Sequence, residues 1–274
     1  MEKVVHVFKS RGPEIFPAAY RARKWSPLRA VHFITNLIVP KYSAEPLQSA
    51  IEDLIPRKTL LESSSHALAI PSVNVTNGTL RIFKTPHFHK FSEDATKTVS
   101  EIALATSAAP TYFSLAESNG ALYADGGLFA NAPDLVAAHE SDYVFGIAPD
   151  NLKILSIGTL SSEFSIPGIK NKDFGIANWM KDGRLIEIMI SAQGQFTTQM
   201  MRHRFKENYV RLDEVVPHDG RKLELDNASA EMAAYLISRA DKVADVFLER
   251  DLEKFRHHKP TTWKNNGKSQ QSIS

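Results

Sequence analysis

The part of the 274-residue sequence with chemistry in its residue types is the run ATSAAPTYFSLAESNGALYADGGLFANAP, residues 105–133. Ala105, Ser107, Ala108 and Ala109 are small and let another element's backbone come close. Pro110 ends the helix they belong to, and Tyr112 and Phe113 are bulky enough to anchor the following loop in a core. A short apolar strand over 122–124 then delivers Asp125 at its C-terminal end, where open α/β sheets place their sites. Gly126 and Gly127 permit a tight turn and leave the carboxylate uncrowded, and Asn131 and Pro133 begin the next helix. An aspartate so placed can orient and deprotonate a hydroxyl nucleophile. An isolated Asp-Gly-Gly is usually only a turn. The weight rests on the whole block occurring in order.

The positioning elements can be read from periodicity and breakers. Helical spacing predicts helices over 27–39, 44–55 (closed by Pro56), 93–106, 133–140, 182–205 and 228–255. The last carries Met232, Leu236, Ile237, Val243, Val246 and Phe247 on or near one face. Strands are predicted over 67–75 and 80–84, joined by the turn Thr76-Asn77-Gly78-Thr79, and over 122–124, 153–157 and 209–212. No linker interrupts 1–257, which reads as one domain. Residues 258–274 are polar and read as a disordered tail.

The block A-T-S-A-A-P-T-Y-F, spacer, D-G-G-x-x-A-N-x-P resembles the second signature of the patatin-like phospholipases. The likeness is clearest over 1–158, through Arg11-Gly12-Pro13-Glu14-Ile15-Phe16-Pro17 and the strand pair from Ile70-Pro71 to Phe83, with 159–257 a helical C-terminal part. It implies an α/β fold, a three-layer α/β/α arrangement with a mostly parallel central sheet. It implies lipid acyl ester hydrolysis by a serine–aspartate dyad at a membrane surface, with Asp125 as the acid/base and Gly126 and Gly127 as the supporting turn. No cofactor or metal is implied. The family's serine lies in a G-x-S-x-G elbow, and these 274 residues contain no such pattern. The nearest neighbourhoods, Gly158-Thr159-Leu160-Ser161 and Ser191-Ala192-Gln193-Gly194, do not fit. The elbow and the glycine-rich oxyanion loop would lie before Met1, so the expectation is an N-terminally truncated member carrying the aspartate alone. The alternative is an inactive lipid- or nucleotide-binding module. Trp179 to Leu185, Ser191 to Gln193 and Tyr209 to Asp213 are also similar to bacterial patatin-like anti-phage effectors, which implies a cyclic nucleotide activator; Arg184, Arg202 and Arg204 could pair with its phosphates.

Other constellations are weaker. His87 and His89, two residues apart, do not make a metal site without further ligands. Ser107 and Ser156 are the serines expected nearest Asp125, with packing or backbone bonding as the simpler role for Ser107. Met180, Met189, Met200 and Met201 fall on helices and read as core, although such surfaces also suit acyl chains. The 33 basic and 31 acidic residues give a net charge of +2, with no reason to expect a nucleic acid polymer as partner. The absence of cysteine excludes disulfides and thiolate chemistry. No stretch approaches the ~20 apolar residues of a membrane span, and the expectation is a cytoplasmic protein with at most peripheral membrane contact.

Overall fold

The computed structural model describes residues 2–18, 39–88, 90–160, 173–180, 183–214 and 223–257. The expected helix over 27–39, except its last residue, the residue His89 and the tail 258–274 lie outside the described residues. The described residues form two compact units, the first within Met1–Gly126 and Glu224–Tyr235, the second within Gly127–Leu223 and from Leu236 onward.

In the first unit, helix α1 (Glu2–Ile15) and helix α2 (Glu45–Leu54) pack around Val7, Ile15, Tyr42, Ala50 and Phe113. Phe16 meets Tyr42 edge-on with ring centroids 5.2 Å apart. The amides of Lys41 and Tyr42 donate to the carbonyls of Thr111 and Tyr112, at 3.0 and 2.8 Å. This ladder holds the Thr-Tyr-Phe loop, as the bulk of its aromatics predicts. Asp226, only 2% exposed, accepts a 2.8 Å hydrogen bond from the Tyr42 hydroxyl and lies 3.6 Å from the Lys41 ammonium. A buried carboxylate needs such partners, since desolvation otherwise costs more than the fold can supply.

Strands β1 (Ala69–Asn74) and β2 (Thr79–Lys84) form the predicted hairpin. Gly78 takes φ 65° at its turn, and the Asn77 amide bonds the Asn74 side chain at 3.1 Å. Helix α3 (Val99–Thr106) starts six residues later than its periodicity suggests. Thr98 caps it by accepting the Glu101 amide, while Asp94, buried, is turned instead onto the Arg81 guanidinium (2.6 Å) and the Lys84 amide (3.1 Å). Strand β3 (Ala116–Ser118), which apolar patterning missed, is joined to β4 (Ala121–Asp125) by Asn119-Gly120. Both turn residues have positive φ, 51° and 75°, the two-residue turn that suits Asn-Gly. The core of this sheet is Leu61, Phe83, Ile102, Ala105 and Tyr123.

The fold is α/β with a central sheet, as expected. The strand direction differs: the four-stranded sheet, in order β2-β1-β4-β3, is antiparallel at every pairing. Two of its three pairings are tight hairpins, and a hairpin can only join antiparallel neighbours. Parallel pairing among the described residues occurs in the second unit.

That unit comprises α4 (Gly127–Ala130), α5 (Asp134–His139) running into a π-helical turn over Glu140–Val144, β5 (Ile154–Ile157), α6 (Ile176–Met180), α7 (Arg184–Phe205) and β6 (Tyr209–Leu212). Helix α8 (Ala230–Arg250) begins in the first unit and continues through the second, followed by α9 (Glu253–Arg256). β5 and β6 pair in parallel over a core of Ala138, Ile154, Met201, Phe205 and Tyr209. The single helix expected to 255 is broken because the amides of Asp251 and Leu252 both turn back to the Phe247 carbonyl, closing α8.

Tyr42→Phe leaves the buried Asp226 without its hydroxyl partner. It should lower the stability of the protein by about 1–3 kcal/mol, measured as a lower urea midpoint at unchanged slope.

Candidate active site

Asp125 is the last residue of β4, half-buried, and faces Ser72 of β1 across the antiparallel register. Its backbone is held from the α3 side: the Asp125 amide donates to Ala108 O at 3.0 Å and the Gly126 amide to Thr106 O at 3.3 Å. The Thr106 hydroxyl donates to Pro71 O at 2.6 Å, and the fully buried Ser72 hydroxyl sits 3.0 Å from Ala105 O and 2.8 Å from Ala124 O. These bonds stitch the end of α3, β1 and β4 into one support. The small side chains of Ala105 and Ala108, 0% and 3% exposed, permit that approach. A Cβ on Gly126 would overlap Pro71 O and lie 2.5 Å from Pro71 C, so the position admits glycine alone. Close approach, more than turn conformation, is what this glycine provides. A cavity of about 340 Å³ in the same unit is lined by Leu47, Leu104, Ala108, Phe113 and Leu115 together with Glu52, Arg57 and Glu117. It shares Ala108 with the support of Asp125.

Beyond Gly126 the chain enters the second unit. Gly127 opens α4 and, after it, the Asn131 amide donates to Gln193 Oε1 of α7 at 3.1 Å. Asp134, at the first turn of α5, then binds a buried polar network that sequence patterning missed. The Ser156 hydroxyl lies 2.8 and 2.9 Å from its two oxygens, and the Tyr209 hydroxyl donates to it at 2.6 Å. Arg211 reaches Ser156 Oγ at 2.8 Å and Asp213 at 2.6 Å, with Asp134 at 3.6 Å. Burial raises the Tyr209 pKa above its ordinary 10.0, and the Asp134 carboxylate adds to the rise. For Arg211 burial pulls downward, but the charge and hydrogen bond of Asp213 outweigh it and hold the guanidinium above its ordinary range. Gly158 backs onto this network, since a Cβ there would overlap the Asp213 carboxylate. The available signals were a charged residue opening an otherwise apolar helix and an arginine inside a short strand.

Of the other sequence candidates, Ser107 caps the end of α3 through its amide, and Ser156 is committed to Asp134 and Arg211 in the second unit. His87 is buried, its Nδ1 2.7 Å from the Thr85 hydroxyl and its ring edge-on to Phe91. Among the described residues no three metal-binding side chains converge. Arg204 lies 3.8 Å from Asp142 at an exposed position. Met201 is fully buried, whereas Met180 and Met189 are 46% and 51% exposed, so those two are surface and not core. No helix of the described residues is long and apolar enough to cross a membrane.

The sequence profile of the family described as patatin-like phospholipase matches residues 12–138. A cGAMP-activated phospholipase of Vibrio cholerae is 31% identical over 254 residues, covering 87% of this chain and 71% of that protein. Its counterpart from Escherichia coli is 32% identical over 258 residues, covering 88% and 70%. Patatin-like protein 2 of rice is 25% identical over 289 residues, covering 92% and 69%. The chain belongs to the patatin-like phospholipase family.

Two outcomes test the site's architecture. Gly126→Ala should cost about 1–3 kcal/mol through forced displacement of β1, visible as a lower thermal midpoint. For Tyr209, a folded-state pKa raised above the unfolded one gives a contribution that is complete below about pH 10 and lost as pH rises through the folded value. Tyr209→Phe should therefore be less stable than wild type at pH 8, and the gap between their unfolding midpoints should narrow above pH 10.

Proposed function

We propose that Asp125 is the acid/base of a serine–aspartate dyad in lipid acyl ester hydrolysis. The single observation that supports this most directly is the backbone cradle that places Asp125 at the end of β4, with Gly126 pressed on Pro71. In the proposed cycle the Asp125 carboxylate takes the proton of a serine hydroxyl as its oxygen attacks the ester carbonyl. It returns that proton to the departing alcohol, leaving an acyl-serine. Asp125 then deprotonates water for attack on the acyl-serine, and the proton passes to the released serine oxygen. Gly126 and Gly127 serve as the turn that keeps the carboxylate open. The substrate is a phospholipid or related lipid presented at a membrane surface. Since the bacterial relatives carry the name cGAMP-activated phospholipase, a cyclic dinucleotide is the proposed activator. The working unit is proposed to be 1–257, with 258–274 as a polar tail.

These 274 residues contain no G-x-S-x-G pattern; the second reading is an inactive lipid- or nucleotide-binding member. The readings separate in one experiment. The 274-residue chain should not release fatty acid from phospholipid vesicles, with or without cyclic dinucleotide. Fused behind a family strand–elbow–helix unit carrying G-x-S-x-G, it should, and Asp125→Asn in the fusion should lower turnover by about 10²–10⁴-fold. A fusion that folds, binds vesicles and releases nothing would favour the inactive reading. Turnover by the 274-residue chain that vanishes in Asp125→Asn would mean that it holds another nucleophile.

A further inference from the structure

Helix α7 is apolar on two opposite sides. One side is explained by packing, since Thr197, Met201 and Phe205 are buried in the second unit. The other is not. Leu185, Met189, Ala192 and Phe196 recur at i, i+4, i+7 and i+11, which aligns them on one stripe. All four face solvent, Leu185 at 40%, Met189 at 51% and Phe196 at 58% exposure. The preceding helix α6 adds Ile176 and Met180, 84% and 46% exposed. The stripe ends in a basic turn, Arg202-His203-Arg204. Over the whole of α7 three arginines stand against one carboxylate, Glu187.

We propose that this stripe is the surface by which the protein lies on an anionic lipid bilayer, with the apolar side chains inserted at the level of the acyl-chain boundary. The inference rests on the reading of the protein as a lipid hydrolase, for it supplies the contact such an enzyme needs with its aggregated substrate. An exposed apolar stripe on a helix of balanced polarity with cations at its end is the pattern of an interfacial helix. The alternative occupant, a second copy of the chain, fits less well. Four side chains over about 16 Å of helix, with Gln195, Gln199 and Arg202 also exposed on that helix, make a narrow stripe. A stable dimer generally buries above about 1,000 Å². Among the described residues the ion pair of Arg204 is a 3.8 Å contact with an exposed aspartate, Asp142, readily exchanged for a lipid phosphate.

The test uses the 274-residue chain and vesicles of ether-linked phosphatidylglycerol and phosphatidylcholine, which an esterase cannot cleave. The wild type should float with these vesicles, and Asp125→Asn should float equally, so that binding is read independently of hydrolysis. Leu185→Gln/Met189→Gln/Phe196→Gln should lower the partition coefficient by about tenfold or more, with unchanged helical circular dichroism. Arg202→Gln/Arg204→Gln should weaken binding to the anionic vesicles and leave the weaker binding to pure ether phosphatidylcholine as it was. Because the chain has no cysteine, Ala192→Cys gives a single site for an environment-sensitive dye, whose emission should shift to the blue on the anionic vesicles. No flotation of the wild type, flotation of the triple glutamine variant at the wild-type level, or no shift of the dye would each overturn the proposal. So would a wild-type dimer that the triple variant converts to monomer while flotation stays the same.

Discussion

The carbonyl of Pro71 occupies the space into which a side chain at position 126 would project. That contact sets how closely β1 lies against the end of β4, and much of the first unit follows from it. With β1 so near, Ser72 falls opposite Asp125 and its hydroxyl lies between the carbonyls of Ala105 and Ala124. Thr106 reaches the same Pro71 carbonyl from α3, and the amides of Asp125 and Gly126 find acceptors on the stretch that leaves that helix. Backbone groups buried this way must be paired. Here the pairing requires small residues at 105 and 108 and none at all at 126. The position of Asp125 is therefore determined by main-chain contacts, which are far stiffer than a set of side-chain rotamers. An acid/base group benefits from that stiffness because proton transfer is sensitive to a few tenths of an ångström in donor–acceptor distance.

The second unit solves a different problem, that of carrying charge inside. Asp134 and Arg211 are both largely buried, and neither would be tolerated alone. Asp134 is surrounded by two hydroxyls and one guanidinium, and Arg211 by two carboxylates and a hydroxyl. The network ties the first turn of α5 to both strands of the parallel pair. Replacing all of it by apolar groups of the same shape could leave stability unchanged. Its directional bonds do something apolar packing does not, which is to fix the register of β5 against β6 and the start of α5 together. The raised pKa of Tyr209 belongs to the same arrangement, since ionising it would place a second negative charge 2.6 Å from Asp134.

The Asp-Gly-Gly block could be read in sequence because its message lies in absent side chains and in residues adjacent along the chain. Alanine, glycine and proline at 105, 108, 110 and 126 say where backbone comes close without naming the partner. The predicted hairpin of β1 and β2 was legible for the same local reason. The Asn119-Gly120 hairpin was equally local, and was obscured because β3 has three residues and the polar Glu117 and Ser118 hide its alternation. The late start of α3 has another cause: Asp94 is bound by Arg81 and the Lys84 amide, partners from another element that outweigh helix propensity. The Asp134 network joins residues 75 positions apart, and no pattern within one element reveals it. The antiparallel order of the sheet is carried by its two hairpin turns, whereas the expectation of a mostly parallel sheet rests on the family resemblance alone. The two-sided apolarity of α7 is not legible in sequence, because methionines at helical spacing read as core until their exposure is known.

The proposed dyad asks for one hydroxyl within hydrogen-bond reach of Asp125 whose own proton is available for transfer. The hydroxyls built into the support of Asp125 do not meet that demand. Ser72 is fully buried, with its oxygen between two main-chain carbonyls, and Thr106 donates at 2.6 Å to Pro71 O. Deprotonating either would leave an alkoxide facing main-chain carbonyl oxygen, an arrangement with repulsion in place of the donors that an anionic intermediate needs. Both hydroxyls hold up the strand that bears the proposed acid/base and cannot also serve as its nucleophile. The same bonds that make the position of Asp125 rigid thus separate two tasks, support and attack. In the proposed dyad the second falls to an elbow serine, whose strained turn keeps its hydroxyl out of such bonding.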